Sequence, residues 1–492
     1  MTGFTPHGIF GDLRASVPRT DPWRWTKSRR MNFSQAYSTT GHSGLHRVLL
    51  IVFSIAVVIR LLNLATLPTD PATLLQEDAS LYWAGAAVFV DHGSFSIVTE
   101  KGLIPHTERV PGYMLFLAAV RAVFGDSLFA ALIVQSLIDG LTCVLTAWMA
   151  AQLSPRLVLP TGMLAALWPN LIIHSGTILS DSQFLFLFTV MLASACRFLQ
   201  DGAPRWAAAA GLALGLAILT RPVAQLLPVL MVPAAFLLPL RHGRGLGAAT
   251  LATILFLACA LAPLLPLLHR NYDRSDALAL TSQSGAHLLG WVAPLVRRAA
   301  DGTPREIGAT ELRTEALERL GAKGRNLDEM NDFEQSRILA LIGLEAIGRY
   351  PISAIIKAWL NGAAINLGAP AVAIDVRVRA LPHPSFDATQ ASSLPQQVTN
   401  FLTQASAAYL LIMGGGIALS LIALGLQAYG VVGLARAAPW AAVFALLCIG
   451  YFLALNGPVG SPKYRLPFEP VLIILTALAL LNIADRFKKH GP

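Results

Sequence analysis

Charged residues are scarce in this chain: Asp, Glu, Lys and Arg make up 13% of its 492 residues, against about 25% in soluble domains. Hydrophobic residues make up 54%, and the mean hydropathy is +0.57. The sequence also lacks the short alternating segments of a transmembrane β-barrel. It has instead uninterrupted apolar runs of roughly 17–25 residues, the length that crosses a bilayer as a helix. The composition therefore predicts an all-α polytopic membrane protein.

Cysteine is rare as well. The four cysteines, Cys143, Cys196, Cys259 and Cys448, all fall inside apolar runs, and their spacing is not that of metal ligands. We expect them to be buried packing residues. They therefore say nothing about the redox compartment of the protein.

A cleavable signal peptide is not evident, and neither are internal repeats of 20–50 residues or two matching halves. A basic N-terminal segment precedes an apolar run that begins only near Leu49, which is too far for a signal. We expect residues 1–46 to be a cytoplasmic, mostly disordered tail. The net charge of +9 fits basic residues that flank spans on one side better than it fits a nucleic-acid partner.

The apolar runs predict about ten transmembrane helices, within a range of 10–12. The predicted spans are 48–66, 127–152, 157–173, 181–200, 206–220, 223–240, 247–268, 404–432, 440–456 and 467–484. With ten spans, the basic connectors around Arg156, Arg436 and Arg486 fall on one side, as the positive-inside rule requires. We expect both termini to be cytoplasmic and the protein to lie in a bacterial cytoplasmic (inner) membrane.

Two further apolar segments are ambiguous. Residues 111–124 are short and interrupted by Arg121, and residues 351–368 contain Lys357. We expect residues 111–124 to form a helix at the interface and residues 351–368 to form an interfacial or re-entrant helix. Arg60 is near enough to the end of its span to snorkel to the surface.

The predicted spans divide the chain into four parts. After the tail, residues 47–269 form a transmembrane catalytic module with a first external loop at 67–110. Residues 270–400 form a small, mainly helical extracytoplasmic region, and residues 401–492 carry the last spans.

Carboxylates and cations gather at the span ends opposite the basic connectors. These polar residues are Glu77, Asp78, Tyr82, His106, Glu108, Arg109, His174, Ser180, Asp181, Arg221, Arg270, Asn271, Lys463, Tyr464 and Arg465. Arginines on this side run against the topology bias, and charges near hydrocarbon tend to mark function.

Structural alternatives exist for several of these residues. Asp78 and Asp181 could each cap the helix that follows, and Arg221 could be the polar tip of a hairpin. His174 is more often a satisfied interfacial histidine than a metal ligand.

Arginine forks bind phosphate, and a carboxylate can accept the proton of a hydroxyl group. A wide apolar body can hold a lipid tail. Together these groups indicate transfer from a phosphate-bearing lipid to an acceptor alcohol.

At these residues the chain resembles the GT-C superfamily of membrane glycosyltransferases, in particular the protein O-mannosyltransferases and the lipid A aminoarabinose transferase (glycosyltransferase family 39-like). The segments that carry the resemblance are Glu77–Tyr82, Glu108–Tyr113 with Phe124-Gly125, Leu179–Asp181, Leu219–Pro222, His269–Tyr272 with Thr281–Gly285, and Lys463–Pro467. Val110 replaces the first proline of the usual double proline, and Asp181 stands where Glu is commoner.

The resemblance implies a polyprenyl-phosphate-linked sugar as donor and an inverting transfer on the extracytoplasmic face. It makes Asp78 the general base, Glu77 its alternate and Asp181 a positioning carboxylate. The expected phosphate ligands are Arg109, Arg221, Arg270 and Arg465. The expected substrate contacts are Tyr82, His106, Glu108, Asn271, Lys463 and Tyr464. We expect no cofactor, although two acidic loops could share a divalent metal.

Two other functions remain open from the sequence. A transporter or flippase of a lipid-linked or anionic substrate would carry polar residues at mid-membrane depth. A glycan polymerase or ligase would take a pyrophosphate-linked donor.

Overall fold

The protein is described by a computed structural model, which covers residues 42–490 apart from 101, 323, 325 and 390–392. The predicted tail, residues 1–46, lies almost wholly outside the described residues. The chain is predominantly helical, in agreement with the predicted fold class.

The helices of the first half enclose most of the apolar core. They are α1 (His42–Ala65), α2 (Pro71–Leu74), α3 (Asp78–His92), α4 (Gly112–Phe124), α5 (Leu128–Ala151), α6 (Val158–Leu167), α7 (Pro169–Ser175), α8 (Asp181–Asp201), α9 (Pro204–Thr220), α10 (Leu227–Leu230), α11 (Val232–Arg241), α12 (Gly245–Leu261) and α13 (Leu265–Ser275).

The second half contains a helical region and three long C-terminal helices. Its helices are α14 (Gln283–His287), α15 (Ala293–Asp301), α16 (Arg305–Gly321), α17 (Asp332–Gly348), α18 (Ile352–Gly368), α19 (Val376–Arg379), α20 (Leu394–Gln404), α21 (Ala407–Ala437), α22 (Pro439–Asn456) and α23 (Glu469–His490). A π-helical segment, Leu288–Val292, joins α14 to α15, and a 3-10 helix, Pro462–Phe468, precedes α23.

The predicted spans coincide with helices. Within the described residues, seven helices are long and apolar enough to cross a membrane, and two bent pairs and the shorter α9 supply the other three predicted spans. A third bent pair, α17 with α18, turns by 112° and contains the segment expected to be interfacial. The chain is therefore a multi-pass membrane protein, as predicted.

Proline explains a break that the apolar pattern does not show. The axes of α6 and α7 differ by 49°, and Pro169 begins α7. Proline has no N–H to bond the carbonyl four residues earlier, which is Ala165 here. The break therefore leaves carbonyl groups in the interior that need another donor.

Arg60 supplies that donor. It lies in the interior with 0% exposure, donates to the carbonyls of Ala166 at 2.7 Å and Ala165 at 3.4 Å, and pairs with Asp139 at 2.6 Å. The expectation that Arg60 snorkels to the surface is wrong. The Arg60–Asp139 pair thus joins α1 and α5 to the end of α6, where the helix breaks before α7.

The first external loop contains an antiparallel hairpin that the sequence did not indicate. Its strands are β1 (Ser96–Thr99) and β2 (Gly102–Pro105), and Ser96 pairs with Pro105. After the hairpin, α4 packs on α3, and its Arg121 lies 4.4 Å from the Trp83 ring centroid. The interfacial placement of α4 stays a prediction.

Residues 270–400, which we expected to be a mainly helical extracytoplasmic region, contain a small helical layer with its own core. Its core contains Leu289, Leu312 and Ile342 from three different helical segments. Thr107 of the first external loop donates a hydrogen bond to Asp332 at the start of α17, and Ser282 N donates to Thr107 O at 2.9 Å. These contacts dock the helical layer against the first external loop.

Candidate active site

Asp78 is the first residue of α3 and is paired with an arginine. Its Oδ1 accepts a hydrogen bond from Arg109 Nη2 at 2.9 Å, while its carboxylate stays 46% exposed. The preceding residue, Glu77, occupies the N-cap position with φ of +53°. Such a backbone conformation is uncommon outside glycine and asparagine and is found at functional sites. The structure therefore places Asp78 inside the helix rather than at its cap.

A close backbone approach places Arg109. The segment after it reaches α4 through Pro111 and Gly112, and a Cβ atom at Gly112 would lie 2.5 Å from the Leu219 carbonyl oxygen. Only glycine fits such an approach. The first external loop is thereby seated on the end of α9, directly before Arg221.

Asp181 and Arg221 form a second acid–arginine pair. Asp181 begins α8, Arg221 follows α9, and Arg221 Nη1 donates to Asp181 Oδ1. The Asp181 side chain is 4% exposed and that of Arg221 is 22% exposed. The cap alternative for Asp181 is not what the structure shows, because Ser180 holds the N-cap position.

Tyr82 connects the two pairs. Its hydroxyl lies 3.4 Å from Ser180 Oγ, next to Asp181, and its ring meets Tyr113 edge to face with centroids 5.1 Å apart. Tyr82 is itself buried. It therefore links the acidic loops, rather than lining an open surface as a substrate contact would.

A pocket opens beside the second pair. Its polar lining residues are Asp181, Arg221, Asn456, Lys463 and Tyr464. Its apolar lining residues are Phe184, Val223, Phe452, Leu466 and Pro467. A pocket lined by cations together with aromatic and aliphatic side chains suits an amphiphile with an anionic head.

Arg465 is not available to that pocket. Its Nε donates to Glu469 Oε1 at 2.7 Å, and its Nη1 donates to the Leu367 and Ala369 carbonyls. Trp168 Nε1 donates to Glu469 Oε2 at 2.6 Å. Arg465 therefore holds the base of α23 in a buried network, and we leave it out of the phosphate ligands.

Arg270 is occupied in a similar way. It donates to the Phe95 and His106 carbonyls and to Asn271 Oδ1, and Asn271 Nδ2 donates to Ala279 O. Both residues hold the first external loop against the chain that follows α13. Glu108, also predicted as a substrate contact, is exposed.

His106 is buried between cations. Its ring stacks on Phe95 with centroids 5.1 Å apart. Burial, together with the charges of Arg109 and Arg270, lowers the pKa of His106 to about 4. The imidazole is therefore neutral at physiological pH, and it is placed to support the first external loop rather than to contact solvent.

Two arginines from the distant α19 segment reach the rim of the site, and sequence reasoning missed both. Arg379 lies 3.4 Å from Glu77 Oε1, and Arg377 donates to Asn63 Oδ1 at 2.8 Å and pairs with Asp375. The cationic run 376–379 at the end of an apolar segment is the one signal that could have suggested them.

The expectation of no cofactor, with a shared divalent metal as its alternative, stays a prediction. In the part of the chain that the structure describes, three or more His, Cys, Asp or Glu side chains do not gather closely enough to hold a metal ion. His174 Nδ1 hydrogen-bonds Asn170 O at 2.8 Å, and its Nε2 is buried without a partner among the described residues. The structure therefore satisfies the Nδ1 atom of this histidine, and the interpretation of His174 as a satisfied interfacial residue stays a prediction.

The comparisons with known proteins agree with the class that this geometry suggests. Residues 106–269 match the family model of dolichyl-phosphate-mannose-protein mannosyltransferases. The match covers Arg109, Asp181 and Arg221, and it confirms the resemblance to GT-C membrane glycosyltransferases. No curated protein sequence matches the chain.

Solved structures of two transferases are similar to this chain. The oligosaccharyltransferase AglB from Archaeoglobus fulgidus, in complex with an inhibitory peptide and a dolichol-phosphate, is 16% identical with a TM-score of 0.49, over 91% of this chain and 52% of that one. The chain thus spans about half the length of AglB. ArnT from Cupriavidus metallidurans bound to undecaprenyl phosphate is 16% identical with a TM-score of 0.37, over 89% and 77%. At these values the similarity does not by itself assign a function.

Proposed function

We propose that the protein is an integral-membrane glycosyltransferase. It moves a sugar from a polyprenyl-phosphate-linked donor to an acceptor hydroxyl group on the extracytoplasmic face of a bacterial cytoplasmic membrane. The observation that carries the proposal is a set of two acid–arginine pairs on loops joined by the Tyr82–Ser180 contact. These pairs are Asp78–Arg109 and Asp181–Arg221, and the second pair lines a pocket with polar and apolar side chains. The family match over residues 106–269 supports the same reaction class.

Asp78 is the general base. Its carboxylate is half exposed and held by Arg109, so an acceptor arriving from water can reach it. As the acceptor oxygen bonds to the anomeric carbon, its proton passes to Asp78 and the bond from that carbon to the phosphate oxygen breaks. One displacement from the face opposite the phosphate inverts the anomeric carbon.

Arg221 and Lys463 hold the lipid phosphate. Phe184 and Phe452 line the same pocket, so a phosphate at the cations brings the first lipid units near these aromatic rings. The leaving phosphate gains negative charge as the sugar departs, and fixed cations stabilise that charge more than they stabilise the ground state. Arg109 contributes from the Asp78 side, while Asp181 orients Arg221.

The donor experiment tests the reaction class. Purified protein is incubated with a polyprenyl monophosphate sugar or the matching polyprenyl pyrophosphate sugar, together with a mixture of candidate acceptors. Mass spectrometry should detect polyprenyl monophosphate and a glycosylated acceptor with the first donor. Product from the pyrophosphate donor alone would establish a polymerase or ligase instead.

A transporter is the second candidate, because α6 and α7 are broken beside the buried Arg60–Asp139 pair. Broken helices with polar residues at their ends form the binding sites of many transporters. Both side chains are 0% exposed, however, and Arg60 is bonded to the carbonyls of the break. Movement of the lipid-linked sugar across liposomes without covalent product would favour the transporter and contradict transfer.

A further inference from the structure

Gln135 is buried in α5 and bonds two separate parts of the site. Its Nε2 donates to the carbonyls of His174, Ser175 and Thr177 at 3.2, 3.1 and 2.8 Å. Its Oε1 accepts a hydrogen bond from the Tyr113 hydroxyl at 2.9 Å. Carbonyl oxygens only accept, so the chemistry of these partners fixes which way the amide points.

The three carbonyls belong to the turn that leaves α7 and leads to Asp181. Residues 174–177 end one helix, and Ser180 precedes the next. Carbonyls at a helix end lack intrahelical partners and need other donors. The Gln135 amide contributes to all three carbonyls, while His174 O also accepts from Thr177 Oγ1 and Ser182 Oγ. Gln135 therefore helps to hold the second acidic loop in place from a neighbouring helix.

Tyr113 belongs to the other acidic loop. It follows Arg109 through the Pro111–Gly112 turn, and its ring edge meets Tyr82, four residues after Asp78. Tyr82 in turn touches Ser180. We call this closed circuit of contacts, from Gln135 through Tyr113, Tyr82 and Ser180 to the 174–177 turn and back to Gln135, the Gln135 ring.

We propose that Gln135 is a positioning residue that fixes the Asp78–Arg109 pair relative to the Asp181–Arg221 pair. The inference rests on the proposed function, in which the base acts on one side of the sugar and the phosphate cations act on the other. Misplacement of reacting groups by about 1 Å can cost about 100-fold in rate. A buried amide bonded to both loops is suited to prevent such a shift.

Two substitutions separate the amide from its volume. Gln135→Glu replaces the donor with an oxygen that faces three carbonyl oxygens, and Gln135→Met keeps the approximate shape while removing all four hydrogen bonds. Thr146→Val is the matched control, because Thr146 is buried on the same helix and, among the described residues, its hydroxyl bonds the Thr142 carbonyl of its own helix.

We expect Gln135→Met to lower kcat per folded molecule about 10- to 100-fold with little change in KM. Its unfolding midpoint should fall below that of Thr146→Val, because Tyr113 and the turn carbonyls lose a buried partner. Gln135→Glu should lower kcat further. Turnover within about twofold of the Thr146→Val control for both variants, at comparable folding, would overturn the inference.

Hydrogen exchange gives a readout that does not depend on activity. In Gln135→Met, backbone amides in segments 76–82 and 174–182 should exchange faster than in the wild type, and in Thr146→Val they should not. Unchanged exchange in both segments would contradict the coupling.

The two readouts also separate this inference from the proposed function. Faster exchange with unchanged kcat would overturn the positioning role of Gln135 while leaving the proposed function intact. A wild-type protein without product would contradict the proposed function, and the exchange result would still decide the coupling.

Discussion

Two kinds of acid–arginine pair occupy different regions of this molecule. Arg60–Asp139 and Arg465–Glu469 are sealed, with side chains 0% to 9% exposed. Asp78–Arg109 lies at the surface, with its carboxylate 46% exposed, and Arg221 of the Asp181–Arg221 pair lines the pocket. Each pair joins an arginine to a carboxylate, and the surroundings decide what each pair can do.

The sealed pairs hold the helices where they are interrupted. Arg60 bonds the carbonyls at the break between α6 and α7, and Arg465 bonds the Leu367 and Ala369 carbonyls at the end of α18 while Glu469 begins α23. Arg60 donates from all three of its guanidinium nitrogens, and Arg465 donates from Nε and Nη1. We call Asp78–Arg109 and Asp181–Arg221 the open pairs, because they leave charged groups where a ligand can reach them. The difference in exposure indicates a structural role for the sealed pairs and a role in the reaction for the open pairs.

The sealed pair should show the largest effect on stability. Arg60→Met leaves Asp139 buried without its partner, and loss of one member of a buried pair costs about 3–5 kcal/mol. The double variant Arg60→Met/Asp139→Leu should recover much of this loss, because both charges leave together. Thermal unfolding in detergent measures both. A double variant less stable than the single would show that the pair matters for more than its mutual charge.

The open pair should show its effect on donor use. Arg221→Ala should lower kcat/KM for the polyprenyl-phosphate donor about 100-fold, in line with the loss of one transition-state charge contact. Arg221→Lys should retain part of the activity because the charge remains. Arg205→Ala, an exposed arginine beside Asp201 at the other end of α9, serves as the control and should match the wild type.

The pH dependence of folding stability should reveal the buried His106, which lies near Arg109 of the open pair Asp78–Arg109. His106 has a folded pKa of about 4, below its unfolded value of about 6.5, so the unfolded chain binds the extra proton first. Its contribution to stability is therefore present above pH 6.5 and is lost as pH falls towards 4. The difference between wild type and His106→Phe should shrink by about 2 kcal/mol over this interval. Parallel stability profiles would contradict the burial of a neutral His106.

The hydroxyl that links the acidic loops should have the smallest effect. Tyr82→Phe removes the contact with Ser180 and keeps the ring packed on Tyr113, at a cost of about 1 kcal/mol. We expect a five- to tenfold lower kcat and a small fall in thermal stability that corresponds to this cost. Wild-type turnover for Tyr82→Phe would show that this contact does not couple the loops.

The sequence was sufficient to locate the helices that cross the membrane. Ten apolar runs predicted ten spans, and each coincides with a helix or a bent pair. The gathering of carboxylates and cations at the span ends opposite the basic connectors also pointed to Asp78, Arg109, Asp181 and Arg221, which the structure brings together as two pairs. Both results depend on local composition, which a single sequence records directly.

Partners from distant segments could not be predicted. An arginine near a span end looks the same whether it snorkels or pairs, and Arg60 finds Asp139 79 residues away. Arg379 reaches Glu77 from 302 residues away. A glutamine in an apolar helix does not reveal which carbonyls it will meet, so Gln135 was not among the predicted site residues. These contacts arise from tertiary packing alone.

The central claim is that open pairs carry out transfer and sealed pairs hold the fold. It is tested most directly by measuring turnover per folded molecule and the unfolding midpoint for Asp78→Asn and Asp139→Asn side by side. Asp126→Asn, an exposed carboxylate paired with Arg121, is the control. We predict that Asp78→Asn loses about 1,000-fold in turnover at a nearly unchanged midpoint, and that Asp139→Asn lowers the midpoint while its folded fraction stays active. Near wild-type turnover for Asp78→Asn would contradict the account.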